Sequence, residues 1–305
     1  MSWLASEPAH FVLEGVAVSF IQTENLVHEY FVKNEEGKIV EKHRAIDGVD
    51  FLVEHGQFIA ILGKNGSGKT TFARHINALL TPTQGEVTVN GRNTRDESFL
   101  YEIRKTVGMV FQNPDNQMIA TTVEEEIGFG PENLGLPTEE IRWRVDAALQ
   151  AVGMEEKRLA DPNHLSGGEK QRTAIAGILA MQPNCIILDE ATAMLDPRSR
   201  EELIKEVLQL KREKNITVIL ITHDIEETVY ADKIFVMEQG MVVLSGTPQE
   251  LFASEDETRK KYLPQLPKVV EFAKHLRKEG ISLPYDILTE EQLLAALTEI
   301  FGGNV

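Results

Sequence analysis

Gly63-Lys64-Asn65-Gly66-Ser67-Gly68-Lys69-Thr70 is the stretch that decides the fold. The apolar run Phe58-Ile59-Ala60-Ile61-Leu62 leads into it, and Thr71-Phe72-Ala73-Arg74-His75-Ile76 leads out. Strand, glycine-rich turn and helix opening form the context that a phosphate-binding loop requires. Glycines at 63, 66 and 68 let the backbone curl until successive N–H groups face an anion. The helix starting near Lys69 adds the positive end of its dipole. The expected phosphate contacts are Asn65, Gly66, Ser67, Gly68, Lys69, Thr70 and Thr71. Lys69 supplies a point charge for the β- and γ-phosphates, and the Thr70 hydroxyl a ligand for Mg2+. The predicted ligand is a nucleoside triphosphate.

A second constellation lies downstream. Cys185-Ile186-Ile187-Leu188-Asp189-Glu190 is an apolar strand ending in two acids. In a parallel sheet the carboxyl ends of strands face the ligand crevice, so both carboxylates are expected beside the phosphates. Asp189 fits a Mg2+ partner, and Glu190 is placed to orient or deprotonate the attacking water. Just upstream, Leu165-Ser166-Gly167-Gly168-Glu169-Lys170-Gln171-Arg172 reads as a helix start. Ser166 is its N-cap and Glu169 closes the capping box, which leaves a second anion-attracting helix end.

The 305 residues allow one large domain, or a large one with an appendage. A formal net charge of −17 argues against a protein that coats nucleic acid, which needs a cationic surface. The single cysteine, Cys185, sits in an apolar run and permits no internal disulfide. No apolar run approaches the ~20 residues that span a bilayer. Residues 1–20 hold no Lys or Arg, so a signal peptide lacks its basic start, and the segment reads as a loosely held extension. These features predict a cytoplasmic protein.

Strand patterns at 21–30, 49–53 and 85–91, with a hairpin around Asn34-Glu35-Glu36-Gly37, predict an antiparallel, β-rich opening third wrapped around the phosphate-loop helix. Helical periodicity follows at 123–127 and 138–152, with Pro131 and Pro137 breaking the run between them. From Cys185 onward strands and helices alternate, which implies a parallel α/β sheet. A linker is expected near 254–258. Beyond it Val269, Phe272, Ala273 and Leu276 line one helical face. A capping box at Thr289–Gln292 opens a last helix carrying Leu293, Leu294, Leu297, Ile300 and Phe301 on one side. Two short amphipathic helices must dock, on their own domain or on a partner.

Taken together, the loop 63–70, the octet 165–172 and the run 185–190 resemble the signature motifs of ATP-binding-cassette ATPases. That resemblance implies an α/β nucleotide-binding domain: a phosphate-loop core, an antiparallel β subdomain and an α-helical subdomain at about 112–182. The domain would span 21–254, with a small helical extension at 255–305. The resemblance also assigns roles. Gln112 resembles the Q-loop glutamine near Mg2+ and water, and Asp196 in Met194-Leu195-Asp196-Pro197 the D-loop. His223 after Ile221-Thr222 resembles the switch histidine at the γ-phosphate. Tyr30 resembles the aromatic that stacks on adenine, with a core strand aromatic as the competing reading. In the family Ser166, Gly167 and Gly168 serve the nucleotide held by another subunit, so two subunits sandwich two ATPs. One departure is Ala191, where the family usually has Pro before Thr192.

The runs Gly108–Gln117, Phe129–Gly135 and Ala191–Pro197, with Leu283-Pro284 and Asp286–Thr289, are similar to ATPases of energy-coupling factor transporters. Membership there implies a motor subunit that hydrolyses ATP with Mg2+ on the cytoplasmic face of the cell membrane. It would act with a second ATPase, a paralogue or itself, a transmembrane T-component and, indirectly, an S-component that captures a vitamin or other micronutrient. Asp115 is expected to help receive a basic residue of the membrane scaffold. The alternative is an ATPase of another importer class, for a metal ion or an amino acid.

Overall fold

The computed structural model of the protein describes residues 19–34 and 38–302. The proposed extension before residue 19 and the tip of the first hairpin, 35–37, lie outside them. In chain order the elements are β1 (Ile21–Lys33), β2 (Ile39–Val53), β3 (Phe58–Leu62), α1 (Lys69–Ile76), β4 (Gln84–Val89) and β5 (Arg92–Asn93). There follow α2 (Leu100–Thr106), β6 (Val107–Val110), α3 (Val123–Asn133), α4 (Thr138–Ala151), α5 (Gly167–Ala180) and β7 (Cys185–Asp189). Then come α6 (Pro197–Lys214), β8 (Thr217–Thr222), β9 (Lys233–Glu238) and β10 (Met241–Gly246). The chain closes with α7 (Pro248–Ala253), α8 (Glu257–Tyr262), α9 (Lys268–Lys278) and α10 (Glu290–Phe301).

Two sheets organise these elements. A four-stranded antiparallel sheet runs β2-β1-β4-β5, and a six-stranded sheet runs β10-β9-β3-β8-β7-β6. Within the larger sheet β9, β3, β8, β7 and β6 are parallel, and β10 pairs antiparallel with β9. The expectation of an antiparallel opening third therefore fails at β3. Every residue of β3 is buried, and it sits between β9 and β8, which arrive more than 150 residues later. Continuous burial of this kind belongs to a central parallel strand.

Alternation along the central strands divides the core. Ile59 and Ile61 face a layer with Phe72 and Ile76 of α1 and Phe51, Val87 and Val89 of the antiparallel sheet. Phe58, Val218, Leu220, Ile186 and Leu188 face Ile127, Leu149, Ile175 and Leu203 of α3, α4, α5 and α6. At about 25 cal/mol per Å2 of apolar area removed from water, these layers supply most of the driving force for folding. Cys185 is wholly buried, and burial pushes its thiol pKa well up, so it serves as a core side chain.

Pro131 does not end its helix, contrary to the sequence expectation. It lies inside α3, two residues before the C-terminal end, where it gives up the N–H bond to the carbonyl four residues back but keeps its ring buried. The proposed linker at 254–258 contains the start of α8, whose Arg259 is buried and donates from Nε to the Leu251 carbonyl at 3.2 Å. The C-terminal helices dock on their own chain in part. Leu263, Val270 and Leu288 pack with Ile225, Ile234 and Val236, while Ala273, Leu283, Ile287 and Leu293 form a small core of their own. Phe272, Leu294 and Phe301 stay exposed.

Candidate active site

Sheet register brings the site together. Leu62 lies opposite Thr222 on β8, and Asp189 lies opposite Ile221, so the chain leaves β3, β7 and β8 from one edge. β6, whose exit leads to Gln112, pairs in parallel with β7 on the outer side. A concavity of about 330 Å3 at this edge is lined by Tyr30, His43, Ala45, residues 65–71, Gln112 and Glu190.

The loop 63–70 has the shape of a cradle. Gly66 and Gly68 sit at φ +80° and +102°, where a side chain is strained, and a Cβ on Gly68 would come within 2.5 Å of the Ala45 carbonyl. Around Gly66 a Cβ meets nothing within 4 Å, so the curled backbone faces open space. The Ser67 hydroxyl is buried with no hydrogen-bond partner. Lys69, only 4% exposed, donates from Nζ to the carbonyls of Gly63 (2.7 Å) and Lys64 (3.1 Å) and lies 3.4 Å from Glu190 Oε1. An orphaned hydroxyl, a dipole end and a buried ammonium converge on a polyphosphate-sized hollow.

Thr70 Oγ1 donates to Asp189 Oδ1 at 3.1 Å. Burial pushes the Asp189 carboxyl above the usual range, and the Thr70 bond opposes that shift. These two hard oxygens suit a divalent ion. Among the described residues no group of three or more His, Cys, Asp or Glu could cage a metal, so an ion here relies on substrate and water oxygens, the habit of Mg2+.

Glu190 is the crossing point of three segments. Its backbone adopts φ +50°, unusual for a residue with a Cβ, and its N–H donates to the Ile221 carbonyl at 2.9 Å. Gln112 Nε2 donates to Glu190 Oε2 at 3.0 Å, and His223 Nδ1 lies 3.9 Å from the same oxygen. Gln112, Glu190, His223 and Lys69 therefore meet.

Ser166, Gly167, Gly168 and Asp196 do not join them. Ser166 caps α5 in a reciprocal box with Glu169, and with Gly168 it lines a separate concavity that includes Arg172, Leu195 and Ser199. Gly167 lies beside the Met194 carbonyl. The Asp196 carboxylate caps α6, accepting from the N–H groups of Arg198 and Ser199 and from the Ser199 hydroxyl. Asp115 carries its own cation: Lys170 Nζ donates to it at 2.6 Å, tying the segment after Gln112 to the start of α5. A scaffold cation would have to compete with that pair.

The sequence reading missed what lies under Tyr30. Tyr30 is 37% exposed, so it is no core aromatic, and its hydroxyl lies 3.4 Å from Thr71 Oγ1. His28, two residues away on the same strand face, packs edge-on against it with ring centroids 4.6 Å apart. His75 Nδ1 is 2.8 Å from the Thr71 carbonyl, and its Nε2 is 3.1 Å from His28 Nδ1. A carbonyl only accepts, so His75 Nδ1 carries the proton. Burial lowers the His75 pKa to about 4 and keeps the ring neutral, so Nε2 accepts from His28 Nδ1–H. The spacings were legible: 28 and 30 alternate on a strand, and 71 and 75 are four apart on a helix.

A phosphate cradle at the carboxyl edge of a parallel sheet, with an acid pair at the end of β7, one strand removed across β8, and a capped glycine-rich helix start elsewhere, defines an ATP-binding-cassette ATPase. The profile of the ABC transporter family, described as "ABC transporter", matches residues 46–193. Two relatives called "Energy-coupling factor transporter ATP-binding protein EcfA1" come from Caldanaerobacter subterraneus subsp. tengcongensis and Clostridium novyi. The first is 57% identical over 81% of this chain and 88% of its own, the second 48% identical over 92% and 99%. Among solved structures, cbiO1 from Clostridium perfringens, described as part of the ABC transporter complex cbiONQ, aligns with TM-score 0.70 and 35% identity over 85% of this chain and 99% of its own. The cassette MJ0796, in a dimeric structure bound to ADP and Pi, aligns with TM-score 0.67 and 31% identity over 74% and 98%. The chain belongs to the energy-coupling factor transporter ATP-binding proteins: it binds and hydrolyses ATP as the ATPase subunit of such a transporter.

Proposed function

We propose that this ATPase drives uptake of a vitamin or other micronutrient by closing and opening against a second ATPase subunit, on the cytoplasmic face of the membrane. The observation that supports this reading is the division of the site: cradle, acid pair and Gln112 lie together, while Ser166 to Gly168 open on another surface. A second subunit, identical or paralogous, would bring its own Ser166-type helix start to the triphosphate held at Lys69. Among the described residues no helix is long and apolar enough to cross a membrane. Closure would therefore act on a transmembrane T-component, and through it on the S-component that captures the cargo.

In this reading the N–H groups of 65–71 and Lys69 hold the phosphates, and Tyr30 carries the adenine. Thr70, Asp189 and the amide oxygen of Gln112 would hold Mg2+, which neutralises charge on the β- and γ-phosphates. Glu190 accepts the proton of the attacking water. His223, beside Glu190, contacts the γ-phosphate, and Asp196 at the head of α6 faces the partner.

The test is to purify the complex from its native membrane and to compare its ATP turnover with that of the isolated, strictly monomeric chain. The expected complex contains a second cassette ATPase and an integral membrane protein, and it turns over ATP much faster than the monomer. A monomer working at the rate of the complex would overturn the reading.

A further inference from the structure

His223 sits on a short loop with two anchors. On one side Arg200 of α6 is ion-paired with Asp224, and the Asp224 N–H donates to Thr222 Oγ1 at 2.9 Å. On the other side the anchor is the C-terminal extension. Ile225 is 9% exposed and packs with Leu263, Val270 and Leu288. Glu226 Oε1 accepts from the backbone N–H of Lys268 at 3.0 Å. Lys268 is the first residue of α9, whose cap residue, Pro267, offers no side-chain acceptor. The helix start is thus capped from the switch loop, by a carboxylate of the sign its dipole favours. The tail segment Tyr262–Gln265 also walls a concavity of about 220 Å3 whose other side is Gly63, Lys64 and His223.

We propose that the C-terminal extension is a positioning element for His223, acting through Glu226 and the first N–H of α9. The inference rests on the reading of His223 as a group that serves turnover. Residues 225 and 226 lie two and three positions after His223, so fixing them limits where the imidazole can lie. The ring is 56% exposed and lies 3.9 Å from Glu190 Oε2, and among the described residues no hydrogen bond tethers it. Releasing the Glu226 bond lets the loop sample positions in which the ring leaves Glu190, and the competent fraction falls accordingly. ATP affinity, which is set by the cradle, stays where it is. A contact that only holds the tail in place would leave turnover unchanged.

The test uses the full chain in its purified complex and reads kcat and the KM for ATP. Glu226→Ala removes the acceptor. Lys268→Pro removes the donor, with the exposed lysine side chain, and keeps the helix start, because proline is at home in the first position of a helix and Pro267, at φ −55° and ψ 142°, already has the extended backbone that precedes a proline. Each should lower kcat about fivefold, the order that a typical net hydrogen bond supports, at unchanged KM. Glu226→Gln, which keeps an acceptor oxygen, should recover most of the rate. In a His223→Ala background, neither Glu226→Ala nor Lys268→Pro should cost anything further. If His223→Ala turns over ATP like the parent, the role of His223 itself fails. If His223→Ala is slow but Glu226→Ala and Lys268→Pro are not, only the positioning inference fails. Equal losses with and without His223 also overturn it, since the tail would then act elsewhere.

Discussion

The two helix starts that the proposed function assigns to nucleotide, those of α1 and α5, are built differently. The start of α1 has no side-chain cap and opens from a glycine at φ +102°, so its N–H groups have only the cradle to face. The start of α5 is closed by its own side chains: the Ser166 N–H and hydroxyl both donate to Glu169 Oε2, at 2.8 and 2.9 Å. Lys157 pairs with Glu169 at 3.1 Å, and Lys170 with Asp115. The first is unfinished without a ligand. The second is stable alone, which suits a surface that must persist while subunits part. In the proposed reading it is a half-site, and a half-site has to be folded before its partner arrives.

The largest expected effect breaks the first region and spares the second. Glu190→Gln keeps the volume and a group for Gln112 to meet, but it cannot take a proton. Turnover should fall by about 10^2 to 10^4, the range for a lost general base, while nucleotide binding stays within about twofold. Phosphate release and equilibrium binding of ATP measure the two. Retained hydrolysis removes Glu190 from the role of base. The converse experiment is Ser166→Glu, which places a carboxylate where a partner's triphosphate would lie. Turnover of the complex should drop about 10^2-fold through like-charge repulsion, with ATP binding by the isolated chain unchanged. If binding to the isolated chain falls too, the two surfaces serve one nucleotide within one subunit, and the proposed division of the site is wrong.

The difference between the regions also explains what the sequence could reveal. The loop 63–70 and the octet 165–172 were legible because each sets its structure locally: glycine φ angles in one, a capping box in the other. The acid pair was legible because a strand that ends in Asp-Glu needs only a parallel neighbour to be aimed. What stayed hidden was pairing between distant segments. β3 reads like the strands around it, and nothing local reports that β8 and β9 will flank it. Asp115 reads as a free acid until Lys170, 55 positions on, is folded against it. Pro131 reads as a stop, although in the fold the helix runs two residues beyond it with the proline ring buried. The tail's grip on Glu226 needs two elements 42 residues apart, and no periodicity encodes it.

The smallest expected effect concerns stability, and it falls on the region of the phosphate loop. His75 is wholly buried, and its pKa is lowered from 6.5 to about 4, first by burial and secondarily by the nearby His28 and Arg95. The unfolded chain takes up the proton at 6.5 and the folded chain only near 4, so between those values unfolding binds a proton. Stability then rises with pH. The contribution is fully present above pH 6.5, and by pH 5.5 about 1.4 kcal/mol of it is lost. Asp189, Glu206 and Glu227, whose carboxyls burial pushes up, act in the opposite direction, favouring the fold as pH falls. They are common to parent and variant, so comparison with His75→Gln cancels them. Urea unfolding at pH 7.5 and 5.5 should show the parent losing about 1.4 kcal/mol more than the variant. Equal losses would mean that the His28–His75 pair takes up a proton without strain. Tyr30 and the Thr71 carbonyl would then rest on a charged support, and the tautomers that join them would have to be redrawn.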